Sequence, residues 1–215
     1  MTAVTGLVDA VSVLVLGRVF VANMTGNVVF TGFALGGAPG FTLSASLFAL
    51  AGFLAGAALG GLLIDRLARD RAQLLGAGAS IETLLVLAAC LMAAAVSAPF
   101  DSAVRDAIAA LLALAMGIQN AVARKLAVPD MTTTVLTMTL TGIGADLHSR
   151  SYRPVLLRRL SAVVTMLGGA VLGTVLVLHT SATVPLAVAA GILALATAGS
   201  ALATRRPAPW REGPR

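Results

Sequence analysis

Two polar stretches interrupt otherwise apolar sequence: "VANMTGNVVFTG" (21–32) and "PDMTTTVLTMTLTG" (129–142). Asn23 and Asp130 are residue types that accept hydrogen bonds from the first free N–H groups of a helix. Pro129 disfavours helix in the residue before it. The spacing therefore predicts one short helix from Met24 and another from Met131. A helix that begins inside a membrane leaves unpaired N–H groups and a partial positive charge there. Irregular backbone at that depth is tolerated only against protein or a wet cavity. Two such starts would hold an anion, a carboxylate or a neutral polar solute. The candidate contacts are Asn23, Thr25, Gly26 and Asn27 in the first stretch and Asp130, Thr132, Thr133, Thr134 and Thr137 in the second. The competing reading is that these groups only satisfy backbone and join helices.

Other residues extend the chemistry. At 100° per residue, Thr133, Thr134, Thr137 and Thr141 share an arc of about 100°, and Thr132 and Thr139 form a second stripe. Asp9 stands in the middle of an apolar run, where a carboxylate is paired, neutral or functional. Its readings are a proton- or cation-coupling site and a structural pair, with Arg18 or with a partner from another helix. Arg18 itself fits an anion-binding role or an interfacial anchor. Glu82 lies in another apolar run, near its expected cytoplasmic end, and reads as interfacial or paired.

The elements that position these residues follow from composition. The chain is 58% hydrophobic and 11% charged, against about 25% charged in soluble domains. Continuous apolar runs such as "LFALAGFLAGAALGGLLI" (47–64) fit helices, whereas membrane strands alternate. Long segments fall at 3–17, 42–64, 74–97, 104–123, 159–179 and 184–203, and shorter ones at 24–36 and 131–147. The expected fold is an all-α polytopic membrane protein with about six transmembrane helices and two short broken or re-entrant helices. The bilayer is its obligatory partner. The start carries no signal-peptide charge pattern, so the first span is expected to stay.

Basic residues orient the spans. They cluster at 65–71, 124–125, 148–159 and in the tail from 205, and are absent from 36–41, 98–103 and 180–184. This places the C-terminus in the cytoplasm. It also makes 131–147 re-entrant, because both its flanks are cytoplasmic. Cytoplasmic retention accounts for the net charge of +6, so no nucleic-acid partner is expected.

The halves resemble each other. "GLVDA" (6–10) matches "GIQNA" (117–121), which pairs Asp9 with Asn120. "NMTGNVV" (23–29) matches "DMTTTVL" (130–136), and "GFLAG" (52–56) matches "GAVLG" (169–173). With the orientation from charge, the repeats are inverted: 1–98 and 99–204, followed by a cytoplasmic tail at 205–215. Inverted repeats place solute sites near the bilayer midplane, where discontinuous helices meet. The expected function is a small-solute transporter or permease, with a channel, a scaffold or a regulatory membrane protein as alternatives. Gly52, Gly56 and Gly60 form a four-spaced ridge on one helix and Gly169 and Gly173 repeat part of it; such ridges fit contacts within one chain and in a homo-oligomer equally well.

Enzyme chemistry is not expected. No nucleophile elbow, Walker loop or zinc-protease motif is present. Cys90 is the single cysteine, and His148 and His179 are far apart in sequence, so no metal or cofactor is expected. The two regions "VDAVSVLVLGRVFVANMTGNVVFTGFAL" (8–35) and "MGIQNAVARKLAVPDMTTTVLTMTLTGIGADL" (116–147) resemble the signatures of the YoaK-like family. The resemblance covers essentially the whole chain. It implies a compact multi-span helical protein of the inner membrane and carries no substrate or catalytic residues with it.

Overall fold

The computed structural model describes residues 1–96, 98–126, 136–145 and 153–204. The expectations at Asp130, Thr132, Thr133 and Thr134, and for the tail, lie outside the described residues. The elements are α1 (Thr2–Val15), α2 (Met24–Leu35), α3 (Leu43–Leu67), α4 (Arg71–Ala95), α5 (Ser102–Leu126), α6 (Leu136–Ala145), α7 (Arg153–His179) and α8 (Thr183–Thr204). No strand occurs among the described residues. Helix starts follow local chemistry. Asp70 accepts from the N–H groups of Ala72 (3.0 Å) and Gln73 (3.1 Å) at the start of α4. Asp101 accepts from Val104 N–H (2.8 Å) at the start of α5. The Arg71 guanidinium donates to the Leu126 carbonyl and ties the start of α4 to the end of α5.

Five helices, α3, α4, α5, α7 and α8, are long and apolar enough to cross a membrane. The first expected span is shorter. α1 has 14 residues and rises about 21 Å, short of the roughly 30 Å hydrocarbon core. It is nonetheless an inner element, since every residue from Val4 to Ser12 is buried. α5 is the most enclosed of the five long helices. The outer helices turn leucines, valines and phenylalanines outward, as with Leu54 and Leu62 on α3 and Leu167 and Val171 on α7. That surface suits lipid and would be a liability in water.

The helix pairings have a pattern. α3 packs on α5 and α1 on α7. α4 packs on α5 and α1 on α8. α2 packs on α3, α6 on α7, α3 on α4 and α7 on α8, and α4 meets α8 as α1 meets α5. Each of these pairings remains a pairing when α1–α4 are exchanged in order with α5–α8.

Glycines set the close crossings. A Cβ at Gly56 would collide with the Leu114 carbonyl, and one at Gly169 with the Ala3 carbonyl. A Cβ at Gly60 would meet Ile118 and Ala121, and one at Gly173 would meet Leu7 and Ala10. Gly6 presses on Met166–Ala170 as Gly117 presses on Phe53–Ala57. These partners correct the third sequence match. Once "GLVDA" is equated with "GIQNA", Gly56 and Gly60 occupy the places of Gly169 and Gly173, one helical turn along from the alignment of 52–56. A four-residue glycine spacing permits that slip, because a turn of helix returns the same face.

These crossings predict a contrast. Gly117→Val should abolish or sharply lower the yield of folded protein, because its Cβ meets the backbone of α3. Gly61→Ala has open space at its Cβ and should keep or slightly raise the melting temperature in detergent, since alanine gains about 0.5–1 kcal/mol over glycine within a helix. Equal melting curves for the two variants would contradict the packing described.

Candidate functional site

The chain breaks between α1 and α2. Leu16 closes α1 with its N–H on the Ser12 carbonyl (3.1 Å). Gly17 (φ 88°) and Arg18 (φ 57°) then adopt the left-handed conformation. Glycine takes this freely, whereas for arginine it is disfavoured. The turn sends residues 19–22 back along α1 with Val19 and Val21 fully buried. No helix supplies partners for their backbone, so side chains do. Asp9 Oδ1 accepts from the N–H groups of Val21 and Ala22, both at 3.2 Å. The Asn27 amide grips Phe20 from both sides. Its Oδ1 accepts from Phe20 N–H (2.9 Å) and its Nδ2 donates to Phe20 C=O (2.6 Å). Asn27 is fully buried.

Asn23 stands at the start of α2, as expected, but its side chain makes no capping bond. Its backbone (φ −110°, ψ 84°) is not the extended conformation that side-chain caps use. The anchoring passes instead to Asn27, one turn into the helix. The first N–H groups of α2 therefore have no side-chain cap beside them.

These residues border a cavity of about 710 Å³, within the usual range of about 300–1,000 Å³ for small-molecule sites. Its polar lining includes Thr5, Asp9, Asn23, Thr25, Asn120 and Thr137. Phe20 and Phe30, stacked at 5.5 Å between ring centroids, join Leu136, Leu140 and Met166 as apolar walls. Five elements thus contribute: α1, the broken segment with α2, α5, α6 and α7. Asp9 and Asn120, matched by the sequence repeat, face the same space. Asp9 is the one charged side chain in the described lining.

Some expected residues are elsewhere. Asn27 spends its amide on Phe20 and is not in the lining. Arg18 does not meet Asp9. Its left-handed backbone turns it outward, where its guanidinium lies 5.9 Å from the centre of the Phe41 ring. Gly26 lines the cavity and lies tight against Phe20, since a Cβ there would sit 2.6 Å from Phe20 Cδ2. On α6, Thr137 reaches the cavity and Thr139 is buried. The sequence reading missed Thr5, although its place one turn before Asp9 puts it on the same helix face. Phe20, Phe30 and Met166 carry no such signal.

The family described as "Protein of unknown function (DUF1275)" matches residues 1–199. The chain is 34% identical over 149 residues to the UPF0700 transmembrane protein YoaK of Bacillus subtilis (strain 168). That similarity covers 68% of this chain and 64% of the relative's length. No solved structure matches.

The geometry makes Asn27 and Asp9 anchors first. Asn27→Ala should leave Phe20 N–H and C=O unpaired, at about 1–3 kcal/mol each. It should lower the melting temperature in detergent by several degrees. Asp9→Asn retains an acceptor for Val21 and Ala22 and should melt closer to the native protein than Asp9→Ala. Indistinguishable Asp9 variants would show that the two backbone bonds do not hold the break.

Proposed function

We propose that this chain, which belongs to the DUF1275 family of proteins of unknown function, is a small-solute transporter whose two halves meet around the polar cavity. It is a multi-pass membrane protein, and its long apolar helices account for contact with the bilayer. The observation that carries the transport reading is the pairing of Asp9 with Asn120 on one cavity. A repeat that brings equivalent positions to a common space near the middle of the membrane is the architecture of alternating access. The exchange symmetry of the helix pairings supports the repeat. The distribution of basic residues supports its inversion and a cytoplasmic C-terminus in the inner membrane.

The lining favours a neutral or cationic polar solute over an anion. Asp9 repels an anion, and Arg18, the cation that would have balanced it, is turned away. The uncapped start of α2 contributes N–H donors beside Asn23 and Thr25. Phe20 and Phe30 supply faces on which an apolar or cationic group packs. The side chains in the described lining offer hydrogen bonds and one carboxylate, which suits a binding role.

The protein reconstituted in liposomes is tested against a panel of small neutral and cationic polar solutes. At least one should show saturable uptake, reduced about tenfold by Asn120→Ala or Thr137→Ala, the equivalent of about 1.4 kcal/mol of binding. Uptake that rises linearly with concentration would indicate a channel. No uptake across the panel, from protein with an intact melting transition, would favour a non-transporting scaffold.

A further inference from the structure

Two buried acids lie outside the cavity lining among the described residues: Asp106, which pairs with Arg105 at 2.9 Å, and Glu82. It lies near the midpoint of α4, is fully buried, and neither of its carboxyl oxygens has a hydrogen-bond partner. One other buried side-chain oxygen shares that condition among the described residues: Gln119 Oε1 on α5. The short connection between α4 and α5 makes them antiparallel. Gly78 on α4 meets Val122 on α5, where an added Cβ would lie 3.0 Å from Val122 Cγ2. One turn onward along α4 is Glu82, and nearly one turn back along α5 is Gln119. In an antiparallel pair these steps lead to the same level.

The bookkeeping is lopsided. Three acceptor atoms are present and no donor reaches them. A bare carboxylate in a membrane interior is among the costliest groups to bury. Charged and polar groups on the surrounding elements offer little relief. α5 presents Gln119, α8 brings Thr197 and Ser200 to α4, and α1 presents Thr5 with the Met1 amino group as the one charge acting from a neighbouring element. A proton on Glu82 supplies the missing donor, because the acid O–H can donate to Gln119 Oε1. Gln119 Nε2 in turn donates to Thr5 Oγ1 at 3.1 Å, and Thr5 lines the cavity.

We propose that Glu82 is a proton-binding site linked through Gln119 and Thr5 to the cavity. With the proton bound, Gln119 turns its oxygen to Glu82 and its amide hydrogens to Thr5. When Glu82 releases one proton, its carboxylate requires a donor and the Gln119 amide rotates to give it Nε2–H. Gln119 Oε1 then faces Thr5, whose O–H turns from the Met1 carbonyl, to which it donates at 3.4 Å, to donate to Gln119 Oε1. One proton leaves, no other covalent bond changes, and the Thr5 hydroxyl at the cavity wall changes the direction in which its O–H points. The link to solute rests on the transport reading. The proton site does not.

Infrared spectroscopy of the full chain in lipid, in sodium-free buffer at neutral pH, tests both parts. The spectrum should contain a protonated-carboxyl C=O band that shifts in deuterated buffer and is lost in Glu82→Gln. Gln119→Leu should move this band by removing its acceptor. Thr5→Val should move it as well, whereas Thr25→Val, on the same cavity but off the relay, should not. Loss of carboxylate bands in Glu82→Gln would show an ionised group and overturn the proton site. Loss of the acid band on adding sodium would reassign it as a metal-cation site. An acid band unmoved by Thr5→Val would overturn the link to the cavity. A band that behaves as described, in protein that moves none of the solute panel, would leave the proton site standing and remove the transport reading.

Discussion

Hydrogen-bond closure of the break between α1 and α2 is the constraint on which the site depends. Inside a bilayer every backbone N–H and C=O must find a partner within the protein, and residues 19–22 have left the helix that would supply them. Asp9 meets two of these groups and the Asn27 amide meets two more. Three consecutive residues are thereby held against α1, and α2 can begin at Met24 with its uncapped end at the cavity. The polar residues of the opening stretch have divided duties: Asn27 anchors, while Asn23 and Thr25 face the space that anchoring creates.

The glycine crossings set the other boundary of that space. α1 lies against α7 and α5 against α3 at backbone contact, through Gly6 with Gly169 and Gly117 with Gly56. Such crossings are rigid because no side chain lies between the helices to repack. They join the first helix of each half to the third helix of the other. The cavity opens where the short helices and α5 approach this frame, which is why both halves contribute to its walls. A membrane protein gains little from hydrophobic association in lipid, so close packing and buried polar bonds such as Gln119 to Thr5 hold the halves together.

Much of this was legible in the sequence, and the failures are instructive. Among the described residues, hydropathy located α1–α5 and α8 to within about three residues, whereas α7 begins at Arg153, six residues before the apolar run at 159, because its first turns carry Arg153 and Arg158, which a hydropathy reading assigns to the loop. Asp9 and Asn120, which stand at matching places in "GLVDA" and "GIQNA", line one cavity. Residue type alone misassigned the cap, since an asparagine before a helix is equally compatible with facing a cavity, and the tertiary fold gave the anchoring to Asn27. The pairing of Asp9 with Arg18 failed for a backbone reason: a left-handed residue, which no pattern of charges reveals, turns Arg18 outward. The glycine register slipped by one turn because helical periodicity makes that error invisible. Glu82 read as interfacial when its helix was taken to begin at 74. With α4 running from Arg71 to Ala95, it stands near the centre of the helix and is fully buried.

The central claim is that the cavity between the halves is wet space within the membrane. With Cys90 replaced, single cysteines at Thr25, Asn120 and Thr137 can be exposed to a small water-soluble thiol reagent in intact proteoliposomes, with Leu54 and Leu195 as outward-facing controls. The cavity positions should react and the two leucine positions should not. Protection of all three cavity positions, in protein that melts normally, would show a dry packed core and contradict the account.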